Sequence, residues 1–103
     1  MTYIPTQVTY TTVGSATTCG VASSTIAAAN TARRYIVIVN DSTSVLWLAV
    51  GSSAIANRGV RLNSLGASFQ MSEADGNLAL GRVTAISGTA AARSVTVQEG
   101  EVV

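Results

Sequence analysis

The sequence predicts an all-β chain, a single antiparallel β-sandwich or barrel of about seven to eight short strands with an extended N-terminal arm. Three observations predict it. Amphipathic helical periodicity is absent, Thr and Val are abundant, and turn-forming clusters recur along the chain. One hundred and three residues suffice for one domain with its own core.

Residues 1–22, "MTYIPTQVTYTTVGSATTCGVA", are extended in character and poor in large apolar side chains. Pro5 has no amide donor and belongs on an edge or outside a sheet. The segment reads either as a frayed end with an edge strand or as an arm ordered by a neighbour. The domain proper then covers 23–103. "SSTIAAANTA" (23–32) mixes an Ala run with Thr, Ile, Ser and Asn, and reads as a strand ending near Asn30.

The stretch "RRYIVIVNDSTSVLWLAV" (33–50) carries the strongest signal. Tyr35, Val37 and Val39 alternate with Ile36 and Ile38. After the turn "NDST" (40–43), Val45, Trp47 and Ala49 alternate with Leu46, Leu48 and Val50. The two runs read as a hairpin that is apolar on both faces. With no helices to cover it, its second face calls for a neighbouring subunit, unless a closed sandwich buries one strand at a crowded corner.

Downstream, "GSSAIANRG" (51–59) is a loop and "VRL" (60–62) a short strand with Arg61 outward. "ASFQM" (67–71) is a strand with Phe69 and Met71 on one face. "SEADGN" (72–77) is a turn around Asp75-Gly76. "LALGRVTAIS" (78–87) reads as a strand interrupted at Gly81, and "RSVTVQE" (93–99) alternates with Val95 and Val97 inward.

Composition limits the chemistry. The chain has no His and no Lys, one Cys and five acidic residues, with six Arg as its only cations and a net charge of +1. Triads and Schiff-base sites cannot be built from it. Cys19 lacks a base to generate a thiolate and cannot form an internal disulfide. The acids Asp41, Glu73, Asp75, Glu99 and Glu101 fall at predicted turns or the tail, which position a carboxylate pair poorly. "SEADGN" offers oxygens but no complete calcium loop. These features argue against an enzyme and against a cofactor or metal. Sparse, unclustered cations argue against nucleic acid. The N-terminus lacks a secretory pattern and no apolar run is long enough to span a bilayer, so synthesis in a cytoplasm, away from membranes, is expected.

Three segments carry a family resemblance: "ARRYIVIVNDSTSVLWLAVG", "NRGVRLNSLGASFQM" and "GRVTAISGTAAARSVTVQEG". Together, across residues 32–100, they resemble small β-rich virion proteins of tailed bacteriophages. The matching motifs fix turns and strands and include no catalytic residue. The resemblance implies a capsid decoration, or cement, protein on the virion surface. It would be a homotrimer bound to the major capsid protein and made in the host cytoplasm. Face analysis nominates Tyr3, Ile4, Arg33, Arg34, Leu46, Trp47 and Leu48 as the subunit or shell interface. The Arg33-Arg34 pair reads as a solvated strand entry or a subunit contact. The alternative is a tail or fibre accessory domain that binds host-surface glycan through Trp47, Tyr35 and the loop 51–59.

Overall fold

The structure, a computed structural model, describes residues 8–10, 15–88 and 93–102. Among them are nine strands and no helix: β1 (Val8–Tyr10), β2 (Ser15–Cys19), β3 (Ser24–Ala27), β4 (Arg33–Asn40), β5 (Leu46–Val50), β6 (Val60–Leu62), β7 (Ser68–Ser72), β8 (Val83–Ser87) and β9 (Arg93–Val102). They form two antiparallel sheets. The five-stranded sheet runs β1-β9-β4-β7 with β2 also on β9, and the four-stranded sheet runs β3-β8-β5-β6. The fold is a β-sandwich, the first of the two expected forms.

The core lies between the sheets and follows the period-two alternation of the strands. Ile36 and Ile38 of β4, Val95 and Val97 of β9, and Met71 of β7 line one wall. Leu46 and Leu48 of β5, Leu62 of β6, and Val83 and Ala85 of β8 line the other. Phe69 packs against this cluster from β7, on the same face as Met71.

The chain departs from the expected hairpin at residues 40–45. β4 pairs with β7 and β9, whereas β5 pairs with β6 and β8, so the "NDST" turn carries the chain from one sheet to the other. Asn40 organises that crossing. It is fully buried, and its Nδ2 donates to the carbonyls of Ser44, Leu62 and Asn63 at 2.8, 3.1 and 3.0 Å. Its Oδ1 accepts from the Ser42 amide and hydroxyl at 3.0 and 2.7 Å. A short polar side chain thus satisfies backbone groups that the crossing would otherwise leave buried and unpaired.

Because the two runs belong to facing sheets, Leu46 and Leu48 are enclosed within the chain itself and are not a subunit surface. Arg33 is corrected in the same way: it is fully buried, with no exposed side chain. A bulge between Arg33 and Tyr35 shifts the register of β4 against β9 and turns Arg33 inward. Its guanidinium donates to the carbonyls of Ala28, Ala79 and Gly81 at 2.8–2.9 Å and pairs with Glu99 at 3.0 Å. Arg33 therefore clamps the 28–32 connection, the 79–81 segment and β9 together. Its Nε alone has no partner.

Smaller departures concern strand limits. Residues 78–82 are not strand, since Arg33 draws the carbonyls of Ala79 and Gly81 out of any ladder. β9 runs on to Val102, placing Glu101 in a strand rather than in a tail. β1 and β2 are edge strands on β9, while residues 1–7 and 11–14 of the expected arm lie outside the described residues.

Candidate assembly surfaces

With the inner faces committed to the core, each sheet has one outer face. On the five-stranded sheet, register places Tyr10, Gly100, Tyr35 and Ser72 in one cross-strand row. The next row holds Gln98, Val37 and Gln70, and a third holds Ala16, Thr96, Val39 and Ser68. Thr18 and Ser94 form a fourth row. No Asp, Glu, Arg or Lys belongs to any of these rows. A soluble domain ordinarily spreads charge over roughly a quarter of its residues, so three successive cross-strand rows without any are unusual.

One end of this face is aromatic. Tyr10 and Tyr35 flank Gly100 from the two neighbouring strands, and with no side chain between them their rings meet edge-on, centroids 5.6 Å apart at 77°. Tyr10 is 53% exposed, and Tyr35, Val37 and Val39 are half-buried. Asp41 marks the opposite end, where its carboxylate accepts a hydrogen bond from the Thr96 hydroxyl.

The outer face of the four-stranded sheet differs. Trp47 sits between Arg61 of β6 and Ile86 of β8, directly opposite each in register. Arg61 Nε donates to Asn63 Oδ1 at 3.1 Å. Part of this face is covered by the chain's own loop. The buried Thr84 hydroxyl donates to the carbonyl of Ser52 at 2.7 Å, and the Ala54 amide donates to Ser23 Oγ at 2.8 Å. The loop 51–59 thus shields surface that sequence reasoning assigned to a neighbour.

The nominated interface residues scatter accordingly. Leu46, Leu48 and Arg33 are interior. Arg34 is a partly exposed strand-entry residue whose Nε lies 3.4 Å from Glu73. Trp47 is on the outer face of the four-stranded sheet, and Tyr3 and Ile4 lie outside the described residues. Tyr35 and Trp47, paired in the glycan alternative, lie on opposite outer faces of the sandwich and cannot form one stacking platform. Sequence reasoning missed Tyr10, Val37, Val39, Gln70 and Gln98. The available signal was an absence: "YIVIV", "SFQMS" and "SVTVQ" carry no charge at either parity.

Chemistry-bearing groups are dispersed or occupied. Glu99 and Glu101 both accept from Asn30 Nδ2, at 2.9 and 2.8 Å, and Glu99 also holds Arg33. Among the described residues, no group of three His, Cys, Asp or Glu side chains converges on a point. Cys19 is buried, and desolvation raises its thiol pKa above the ordinary value, a shift partly offset by Arg93. Among the described residues no helix is long and apolar enough to cross a membrane.

No family model matches this chain, and neither does any curated protein. Its fold is similar to that of a solved chain from Bacillus endospore appendages, described as forming a novel family of disulfide-linked pili. The TM-score is 0.59 and the identity 15%, with 100% of this chain and 95% of that chain covered. At that identity the likeness establishes a shared sandwich architecture.

Proposed function

We propose that this chain is a non-catalytic structural subunit that assembles through the outer face of its five-stranded sheet. The observation that carries the proposal is the run of uncharged rows that ends at Asp41, with Tyr10, Tyr35, Val37 and Val39 set among Thr, Ser and Gln. Depletion of charge and enrichment in Tyr are features of interface cores. Uncharged rows stack on a second apolar or mixed surface without stranding an ion in a dry contact.

The particular form we infer is a capsid decoration protein, a homotrimer bound to the major capsid protein on the virion of a tailed phage. That form rests on the sequence resemblance across residues 32–100. The fold likeness to a pilus chain supports a subunit role in general and gives no support to a phage shell over another assembly. A disulfide-linked polymer is a poor fit, because one Cys per chain links chains only in pairs. The glycan alternative is weakened by the separation of Tyr35 from Trp47.

The test is direct binding. The purified chain is mixed with empty, expanded phage heads and with intact host cells. Co-sedimentation with heads, abolished by Val37→Glu, supports the proposal. Binding to neither heads nor itself, or retention of binding by Val37→Glu, overturns it.

A further inference from the structure

Edge strands present unpaired backbone groups that invite another strand, and natural sheets protect them with charge, proline, bulges or a covering segment. β7 (Ser68–Ser72) is an edge of the five-stranded sheet. Its sequence, SFQMS, has no charge and no proline, and its register with β4 is regular from Tyr35↔Ser72 to Val39↔Ser68. Something else must protect it.

The turn that follows β7 returns a single side chain to that edge. Asn77 Oδ1 accepts the Ser72 amide at 3.0 Å, while Asn77 Nδ2 donates to the Gln70 carbonyl at 3.2 Å. In a strand, the C=O of one residue and the N–H two residues on point to the same side. The carboxamide, one acceptor beside one donor, therefore meets β7 as the peptide group of an adjacent strand does. The intervening turn is built to deliver it. The Glu73 amide donates to Arg34 O, the Asp75 amide to Ser72 Oγ, and the Gly76 amide to Glu73 O. Gly76 takes a φ of 75°, open to glycine at no steric cost.

We propose that Asn77 is an edge guard, a surrogate strand that keeps β7 from pairing with β7 of a second copy. Growth by edge-to-edge pairing is thereby closed on this side, and association is left to the sheet face. The guard is independent of the face-directed assembly proposed above, and the experiment separates the two.

In a Val37→Glu background, which removes face-directed association, Asn77→Ala is added and mass is followed by light scattering over a hundredfold concentration range. The expected result is a concentration-dependent rise to at least twice the mass of Val37→Glu alone. Adding Gln70→Pro, which blocks the exposed amide of β7 without touching its bonds to β4, returns the mass to the starting value. Asn77→Asp, which places a charge on the edge, gives no rise. Circular dichroism checks that each variant is folded, and Asn77→Ser replaces the alanine variant if that one is not. An unchanged mass in folded Asn77→Ala or Asn77→Ser overturns the proposal, as does a rise that Gln70→Pro fails to reverse.

Discussion

Arg33 Nη2 lies 3.0 Å from Glu99 Oε1, with the arginine side chain wholly enclosed and the carboxylate 18% exposed. The pair ties the entry of β4 to β9, while the three other Nη hydrogens hold three carbonyls from two connections. Removing one partner of a buried pair leaves the other uncompensated, which costs about 3–5 kcal/mol. Arg33→Ala should reach that range, and Arg33→Met should not rescue it, because the carbonyls of Ala28, Ala79 and Gly81 stay unpaired. Glu99→Gln keeps an acceptor and should cost less, about 1–2 kcal/mol. Urea unfolding checks the order; an Arg33→Ala protein within 1 kcal/mol of the parent contradicts the clamp.

The two outer faces make opposite predictions. Val37 is half-buried at the centre of the uncharged face, so Val37→Glu should leave the monomer folded while placing an unpaired charge in any face-to-face contact. Association should weaken by about 100-fold, which corresponds to ~3 kcal/mol. Trp47→Ala, on the other sheet, should leave association unchanged and lower stability by about 1–2 kcal/mol, since only part of its ring is covered. Light scattering and thermal unfolding on both variants check this. Loss of the oligomer in Trp47→Ala alone would move the interface to the four-stranded sheet.

Strand positions were legible in the sequence where alternation was clean: β4, β5, β6, β7 and residues 93–99 of β9 fall where apolar periodicity puts them. Pairing was not legible. "NDST" announces that the chain turns, but turn chemistry does not say whether the next strand lies beside the last or across from it. Here Asn40 spends its carboxamide on the crossing instead of on a hairpin. A hairpin would leave one face of Leu46 and Leu48 to be covered from outside, whereas a strand facing another sheet hides them within the chain. The inward turn of Arg33 depends on a bulge, and bulges have no short-range signature in "ARRYI". The uncharged face became visible only once register placed β9 between β1 and β4.

Cys19 gives a pH prediction. Burial raises its thiol pKa above the ordinary value near 9.0, more than Arg93 lowers it. The folded state therefore holds the thiol proton more tightly than the unfolded state does. The corresponding stability is fully present below the unfolded pKa and is lost as pH rises through the folded one. Stability should fall through the alkaline range above that ordinary value, and Cys19→Ala should flatten this part of the curve. Thiol-reactive dye at pH 8 should label the native chain far more slowly than the urea-unfolded chain. Equal labelling rates contradict the burial.

Two backbone positions with positive φ should respond in opposite directions. Gly59 has φ 83°, and a Cβ there would stand 2.4 Å from the Leu48 carbonyl oxygen, inside the β5–β6 pairing that places Val60 on Leu48. Gly59→Ala therefore combines left-handed strain with a clash against backbone that cannot rotate away, at about 2–4 kcal/mol. Leu65 has φ 61° and is 75% exposed, held there by its amide on Ser42 O and by the next amide on Asn40 O. Its side chain contributes little burial to offset the strain, and Asn tolerates this conformation better than a large aliphatic residue does. Leu65→Asn should raise stability by about 0.5–1 kcal/mol, with the β6–β7 connection unchanged. Thermal unfolding of the two variants beside the parent decides it: a melting temperature lowered by Leu65→Asn means that the leucine makes a contact worth more than the strain it imposes.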